Sequence, residues 1–263
     1  GGNGTDQITS VAETTDGGYI VGASFKSDRI KVGDYTLTSS HGRYDGMLIK
    51  YDNEGSVEWA TSIQGEWQEH IRTISETSDG GYIVGGDFNS SSISVGDYIL
   101  NLSKGDGSTY DGMLIKYDNK GSVEWATSIG GNAYVDISSV VETREGGYIV
   151  GGYFSSDSIT VGGYTLTNAG DYGYDGMVIK YDSDGNVEWA TSIGEDKSEN
   201  IYSVAETSDG GYIIGGSFGS TSIMVGDYVL TNINSNEPVP SGVDGMVIKY
   251  GSSGEVEWAK VIR

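Results

Sequence analysis

Short segments in which apolar and polar side chains alternate recur four times along the chain. In residues 175–190, alternating runs that start at Met177 and Val187 flank the polar turn Asp-Ser-Asp-Gly. Alternation with a period of two predicts half-buried strands, and a tight turn that carries Gly predicts a hairpin between them. Near-copies of this segment begin at Asp45, Asp111 and Asp244. The chain is therefore predicted to consist of four versions of one β-rich unit.

A second motif has the same period. The sequence Gly-Gly-Tyr-Ile recurs with its Tyr at positions 19, 82, 148 and 212. An interval of about 65 residues is typical of proteins that repeat one supersecondary unit. Each period predicts four main strands and a shorter excursion between the second and third, which in the third unit are 137–143, 148–154, 159–167, 177–181 and 187–193. The units run approximately over 7–63, 70–129, 136–193 and 200–263, and we predict one domain over 1–263.

The turn between the third and fourth strands predicts a strand register. If Gly55 takes the left-handed conformation at the end of a type I turn, Lys50 faces Glu58 across the hairpin. The same register places Ile49 opposite Trp59. An opposed ion pair of this kind contributes ~0.2–1 kcal/mol, so we assign it a structural role. The spacing recurs at Lys116/Glu124, Lys180/Glu188 and Lys249/Glu257.

Large aromatic side chains also occupy fixed places in the repeat. Each Trp that follows the paired Glu is predicted to pack between neighbouring sheets, because an indole ring carries a large apolar surface. These residues are Trp59, Trp125, Trp189 and Trp258, and the four Phe residues, at 25, 88, 154 and 218, end the second strand of each unit.

Composition and charge exclude some functions. The net charge of −23 and the isoelectric point near 4.1 make nucleic acid and anionic membranes poor partners, since phosphate binding needs clustered Lys and Arg. Cys is absent, which excludes a disulfide scaffold and a thiolate metal site. No apolar run is long enough to insert into a membrane. The Ser/Thr/Asn/Gly-rich composition favours the cell exterior, and the Gly1-Gly2 start without Met is expected of a processed or excised segment.

Residues 174–194, followed by the strand pair in 203–213, resemble the β-propeller repeats of bacterial surface and secreted proteins, with the SBBP repeat as the nearest pattern. A more distant similarity links the Asp, Gly and Trp of this segment to PQQ-type blades. The resemblance implies an all-β propeller of four four-stranded antiparallel blades, each about 63–69 residues long with an extra hairpin between strands two and three. It also implies that the Trp-bearing strand is outermost and that the innermost strands begin near Ile8, Ile71, Ile137 and Ile201. A closed four-bladed ring is the first expectation. A longer array, or a larger ring completed by a second chain, is the alternative.

The loops on one side of the repeat differ between units and carry aromatic residues. Variable loops on a rigid scaffold are the usual place for recognition, so we predict ligand contacts there. The predicted contact residues are Tyr44, Trp67, Tyr110, Tyr134, Tyr172 and Tyr174. The alternative is that these loops are unconstrained linkers.

A repeated acidic residue ends each innermost strand, at Glu13, Glu76, Glu142 and Glu206. In a closed ring the four carboxylates would approach the axis, where Ca²⁺ or Na⁺ would relieve their repulsion. Capping of the adjacent Thr-x-Asp-Gly-Gly turn explains the same residues more simply. An EF-hand is excluded, because the Asp182 turn loses its ligands in the other copies and the distant Glu is missing.

No catalytic constellation stands out. The only histidines, His41 and His70, lie in variable segments without metal-ligand spacing. We therefore predict a non-enzymatic binding or adhesion module of the bacterial cell surface or exterior that recognises carbohydrate or protein and requires no cofactor, with Ca²⁺ as an option. A self-associating structural module of a surface fibre or stalk is the alternative, and a propeller hydrolase the third.

Overall fold

The computed structural model describes residues 2–39, 42–170, 173–233 and 242–262, and the chain divides into two compact units, Gly1–Gly130 and Gly131–Arg263. Unit 1 contains the strands β1 (Asp6–Glu13), β2 (Tyr19–Phe25), β3 (Arg29–Val32), β4 (Tyr35–Thr38), β5 (Asp45–Tyr51), β6 (Val57–Ile63), β7 (Glu69–Glu76), β8 (Tyr82–Phe88), β9 (Ser92–Val95), β10 (Tyr98–Asn101), β11 (Asp111–Tyr117) and β12 (Val123–Ile129).

Unit 2 repeats this order. Its strands are β13 (Val135–Glu142), β14 (Tyr148–Phe154), β15 (Ser158–Val161), β16 (Tyr164–Thr167), β17 (Asp175–Tyr181), β18 (Val187–Ile193), β19 (Glu199–Glu206), β20 (Tyr212–Phe218), β21 (Ser222–Val225), β22 (Tyr228–Thr231), β23 (Asp244–Tyr250) and β24 (Val256–Ile262).

Each unit contains two blades of four antiparallel strands. The first blade has the strand order β1-β2-β5-β6, and a separate two-stranded hairpin, β3-β4, lies between its second and third strands in sequence. The other three blades repeat both features. The predicted fold class, an all-β propeller type with four four-stranded blades and an extra hairpin in each, is confirmed. The prediction of a single domain stays a prediction. The part of the chain that the structure describes contains no helix that could cross a membrane.

The predicted register between the third and fourth strands is wrong by one residue beyond the turn. Lys50 pairs with Trp59, and Ile49 pairs with Ala60, because a β-bulge shifts the register next to the turn. Glu58 is the extra residue in the bulge. A bulge adds one residue to one strand and redirects the side chains around it. Gly55 has the positive φ of 84° that the turn was expected to need.

The same correction applies to the other three hairpins. In each, the Lys lies opposite the Trp of the motif, and the Glu that was predicted to face the Lys is the extra residue of the bulge. These misplaced residues are Glu124, Glu188 and Glu257, and the observed partners are Lys116/Trp125, Lys180/Trp189 and Lys249/Trp258.

The predicted ion pairs form in spite of the shifted register. Lys180 Nζ lies 2.8 Å from Glu188 Oε2, and Lys249 Nζ lies 3.2 Å from Glu257 Oε2. The Glu188 and Glu257 side chains are 50% and 44% exposed, so each carboxylate reaches the buried ammonium from the solvent side. The expected direct opposition of Glu and Lys in the ladder is therefore wrong, because the bulge removes the Glu from the pairing and leaves its side chain beside the Lys.

Each Lys of the repeat is a buried cation. The side chain of Lys116 is 3% exposed, and its Nζ lies 2.9 Å from both Asp79 Oδ2 and Glu124 Oε2. The ammonium also donates a hydrogen bond to the backbone oxygen of Tyr117. The Glu of this arrangement was predicted from the sequence, and the Asp, which lies in the turn between the first two strands, was not. Lys116 therefore ties both turns of its blade together.

Lys50 shows the electrostatic balance of this cluster. Burial lowers the pKa of its ammonium, and the hydrogen bonds to Asp16 and Glu58 more than compensate, so the net pKa is raised. The pKa of Asp16 is held well below its ordinary value, chiefly by hydrogen bonds from Thr14 and Lys50. The ammonium is therefore charged in the folded chain.

Within each unit the two blades pack through the inner strand of the second. In unit 2, Ile201 and Val204 lie on Gly151, where an added Cβ would approach Val204 Cγ1 to 2.5 Å. In unit 1, Ile71 lies on Gly22 in the same way, at 2.8 Å from an added Cβ. The missing side chain of each Gly creates the space that the branched residue of the next blade fills.

Polar contacts reinforce this packing, and they revise the expected role of the repeated Glu. The Glu76 carboxylate accepts hydrogen bonds from the backbone N–H and hydroxyl of Thr15 in the preceding blade. In unit 2, Glu206 accepts the backbone N–H of Arg144. The repeated Glu was predicted to cap the turn beside it in its own blade. In these two contacts it caps the equivalent turn of the preceding blade instead. Trp59 Nε1 donates to the backbone oxygen of Asn119 across the same contact, at 3.2 Å.

A Gly151→Ala substitution is expected to destabilise unit 2. The new methyl group would overlap Val204 and Ile201, and overpacking of this kind costs about 1–3 kcal/mol. Gly219→Ala is the matched control, because an added Cβ there would come no closer than 3.4 Å to any described residue. Thermal unfolding in dilute solution should show a lowered melting temperature for the first variant and an unchanged one for the second. Equal effects would contradict the packing described.

Replacing Lys116 by Met should destabilise unit 1 by about 1–3 kcal/mol, because a buried carbonyl and two carboxylates lose a charged donor. Lys120→Met is the control, since Lys120 is exposed in the neighbouring turn. Denaturant unfolding of both variants gives the comparison, and a Lys116→Met variant as stable as the parent would show that the ammonium contributes nothing.

Candidate functional site

A row of three rings lies on the variable-loop side of unit 1. The ring centroids of Tyr44 and His70 are 5.7 Å apart, and those of His70 and Tyr110 are 6.1 Å apart with planes inclined by 24°. Tyr44 and Tyr110 were predicted contact residues, and the structure brings them together with His70 between them. All three side chains are half-buried. We call this group, with Lys26, Arg43, Trp67 and Arg72 at its margins, the aromatic-basic surface.

The repeat explains why these rings meet. Tyr44 and Tyr110 each precede the Asp-Gly pair that opens the third strand of a blade, β5 and β11. The backbone oxygen of Tyr44 accepts the N–H of Glu69, the first residue of β7, at 2.8 Å. His70 follows directly, so the inner strand of the second blade places its ring between the two tyrosines.

A buried carboxylate fixes the polar side of the row. Asp87 is opposite His70 in the β7-β8 ladder, and its Oδ1 lies 2.9 Å from His70 Nδ1. Arg72 Nε donates to Asp87 Oδ2 at 2.7 Å. Arg72 is the extra residue of a bulge in β7, which turns its side chain toward Asp87. The carboxylate has no solvent exposure, so its charge is satisfied internally by these partners.

Two further cations border the rings. The Arg43 guanidinium lies 4.5 Å from the centre of the Trp67 ring, within the range of a cation–π contact. Lys26 Nζ lies 5.8 Å from the centre of the Tyr44 ring. Between them is a cavity of about 510 Å³ lined by Lys26, Gly42, Arg43, Tyr44 and Gln68. A positive cavity beside aromatic rings contrasts with a chain whose net charge is −23.

Unit 2 has an aromatic group of its own. Tyr134 stacks on Tyr153 at 6.0 Å, and Tyr174 meets Tyr153 edge-on at 5.3 Å. The Tyr134 hydroxyl donates to Asp136. Tyr134 and Tyr174 were predicted contact residues, while the predicted Tyr172 lies outside the described residues.

Three residues of these groups, Asp87, Arg72 and Tyr153, were not predicted as site residues from the sequence. A usable signal is present in the second strand, where the residue before each Phe varies although the rest of the strand is nearly constant. That residue is Ser24, Asp87, Tyr153 and Ser217 in the four copies. Comparison of positions within strands, as well as of whole loops, would have found it.

The predicted cation site gains no support from the geometry. Glu76 and Glu206 bind backbone groups of the preceding blade, as described above. Among the described residues, no group of three or more His, Asp or Glu side chains is arranged to hold a metal ion. Ca²⁺ binding by these carboxylates stays a prediction without a structural argument.

Buried carboxyl groups are present away from this surface. Asp175 is buried, and its Oδ2 accepts the backbone N–H of Ala169 at 3.0 Å. Burial, with a further contribution from Glu199 and Glu195, raises the pKa of Asp175 to about 7. In unit 1, burial and the neighbouring Asp45 raise the pKa of Glu69 in the same direction. These acids have raised pKa values of the kind that catalytic acids have, but they are buried and a substrate would not reach them.

The Asp175 carboxyl should make stability depend on pH. Its pKa is raised from 3.8 to about 7, so its stabilising contribution is complete below pH 3.8 and is lost as the pH rises through about 7. An Asp175→Asn variant keeps an acceptor for Ala169 and cannot ionise. Its melting temperature relative to the parent should therefore rise between pH 5 and pH 8. Asp184→Asn, at an exposed turn residue, should show no such trend.

Comparisons with known proteins are consistent with a repeat propeller. No family model matches the chain. An uncharacterized WD repeat-containing protein, L264 of Acanthamoeba polyphaga mimivirus, is 26% identical over 241 residues, which cover 78% of this chain and 17% of that protein. The chain thus spans about a sixth of the length of this curated relative.

Two solved structures also resemble the chain. A crystal structure of the eukaryotic initiation factor aligns with a TM-score of 0.35 and 8% identity, over 97% of this chain and 55% of that one. The crystal structure of Sqt1 from Chaetomium thermophilum aligns with a TM-score of 0.28 and 11% identity, over 96% and 83%. The WD repeat-containing relative does not support the bacterial-surface or PQQ-type part of the resemblance.

Proposed function

We propose that the chain is a non-enzymatic propeller module that binds a protein partner through the aromatic-basic surface of unit 1. The observation that carries this proposal is the row of Tyr44, His70 and Tyr110 with a positive cavity at one end. The WD repeat-containing relative supports an interaction role in general terms, because repeat propellers present recognition loops on a rigid scaffold.

The chemistry of the surface favours a peptide segment with an acidic side chain. Tyr, Trp and Arg are enriched at the energetically dominant positions of protein interfaces. Lys26 and Arg43 offer exposed cations to a carboxylate at the cavity. The three rings beside it offer apolar and polarisable area to a neighbouring aromatic or aliphatic side chain. Asp87 adds little repulsion, because Arg72 and His70 lie on its two oxygens.

Internal order makes this surface suitable for binding. Asp87 holds Arg72, the Gln68 amide donates to the Tyr110 hydroxyl at 3.1 Å, and the Trp67 backbone N–H donates to Ser90. Side chains that are ordered before binding lose less conformational entropy when a partner arrives. The surface therefore offers an interface in which little has to rearrange.

Recognition of carbohydrate and an adhesive role outside the cell are two more specific forms of this proposed binding function. The tyrosine group of unit 2 and the Ser/Thr/Asn/Gly-rich composition support them only in general terms. A partner protein is favoured over a glycan, because a neutral sugar makes no use of the Lys26 and Arg43 charges.

A peptide array tests the proposal. Peptides that combine acidic and aromatic residues should bind the full chain, and Trp67→Ala or Arg43→Ala should weaken binding about 30-fold if each removes about 2 kcal/mol. Tyr98→Ala is the matched control, since Tyr98 is about as exposed as Trp67 but belongs to the β9-β10 hairpin. If the chain binds to a glycan array and to none of the peptides, recognition of carbohydrate would be favoured instead. Peptide binding that survives both substitutions would place the interface elsewhere.

A further inference from the structure

The contact between blades in each unit has two distinct faces. In unit 1 the trailing face, on the first blade, carries Ile20, Leu48, Trp59 and Ile63 around Gly22. The leading face, on the second blade, carries Ile71, Ile74, Tyr82 and Tyr117, and these residues form one core with the trailing face. Unit 2 repeats this contact with Ile149, Val178, Trp189 and Ile193 against Ile201, Val204, Tyr212 and Tyr250. The two faces are therefore complementary surfaces that this sequence builds repeatedly.

The leading face of the first blade carries exposed apolar side chains. Ile8 and Val11 of β1 are 66% and 65% exposed, although their counterparts in the second blade, Ile71 and Ile74, are buried. Tyr19 is 43% exposed, whereas Tyr82 and Tyr212 are buried. A cavity of about 830 Å³ runs along this face and is bordered by Ile8, Val21, Met47, Ile49 and Tyr51.

The trailing face of the fourth blade carries an exposed apolar side chain as well. Ile262 is 59% exposed, although its counterparts Ile63 and Ile193 are buried. No described residue lies within 4 Å of the Cβ position of Gly215, which corresponds to the tightly packed Gly151. Val247, the counterpart of the buried Val178, is half-buried.

We propose that the trailing face of the fourth blade binds the leading face of the first blade in a second copy of the chain. The occupant is a second copy because the chain carries both halves of a contact that already joins the two blades inside each unit. The branched side chains of Ile8 and Val11 match the space beside Gly215, as Ile201 and Val204 match the space beside Gly151.

The contacts inside each unit also indicate which polar groups would meet at the junction between the two copies. Trp59 and Trp189 donate to backbone oxygens of Asn119 and Ser252 in the next blade, so Trp258 donates to the equivalent oxygen of Asn53 in the second copy. Glu76 accepts the backbone N–H of Thr15 in the preceding blade. Glu13 correspondingly accepts the N–H of Ser208 across the junction.

This contact is heterologous, because it joins two different faces. Two copies that each supply one leading and one trailing face make two such contacts and contain eight blades between them. Eight blades lie at the upper end of the usual range for propellers, about four to eight. The proposal is independent of the partner binding suggested above, since none of these residues belongs to the aromatic-basic surface.

Light scattering after size exclusion tests the association. The chain should show twice its monomer mass of 27.8 kDa. A leading-face variant, Ile8→Asp with Val11→Asp, and a trailing-face variant, Trp258→Ala with Ile262→Asp, should each be monomeric. Ile99→Asp is the matched control, because Ile99 is 66% exposed on the separate β9-β10 hairpin, and it should dimerise like the parent.

Mixing the two variants gives a sharper test. Each retains the face that the other lacks, so the mixture should form a dimer with one intact junction although each variant alone stays monomeric. Glu13→Lys, a single change at an exposed residue, should weaken dimerisation at least tenfold while circular dichroism stays unchanged.

A parent chain that is monomeric at high concentration would overturn the proposal, whether its faces are covered within one chain or left open. Dimers that persist in both variants would overturn it as well.

Discussion

The packing of a branched inner-strand residue on a glycine of the preceding blade is the contact on which the rest of the structure depends. Ile71 on Gly22 and Val204 on Gly151 bring two sheets close enough for the Trp and Glu of the repeat to bond across them. A glycine is needed at the contact because the branched side chain occupies the place of its Cβ. The repeated Glu, Trp and Lys residues therefore serve stability, and the motif that is most constant along the chain carries the least specific chemistry.

That constant scaffold also explains where a site can form. Once the ladder of β7 and β8 is fixed, the residue before each Phe points to the same place in every blade and is free to differ. It is Asp87 in one copy and Tyr153 in another, and each determines the polar or aromatic character of the surface around it. The bulge in the inner strand of each blade adds a second variable position, which Arg72 occupies in β7. Two variable positions inside a rigid strand pair are more precisely placed than residues in a flexible loop.

Much of the fold could be predicted from the sequence, because strand periodicity and turn chemistry are local. The predicted strands 148–154 and 187–193 coincide with β14 and β18. The register between the third and fourth strands was missed, because a bulge leaves no mark in the alternation of apolar residues. Four of the predicted tyrosines lie in two separate groups, and His70 belongs to one of these groups. No local pattern shows such a meeting, because it depends on how the second blade lies against the first.

The exposure of Ile8, Val11 and Ile262 follows from the same requirement that each blade carry apolar side chains where it packs on a neighbouring blade. Their counterparts are buried in the interior blade contacts, so the repeat supplies apolar residues at these positions whether or not a neighbouring blade is present. Full burial of one such side chain contributes about 1.5–3 kcal/mol. Ile8 and Val11 on the first blade, and Ile262 on the fourth, belong to two separate exposed apolar surfaces of the kind that soluble proteins seldom leave open without a partner. The property that makes the sequence stack within a unit therefore also gives it complementary surfaces for association.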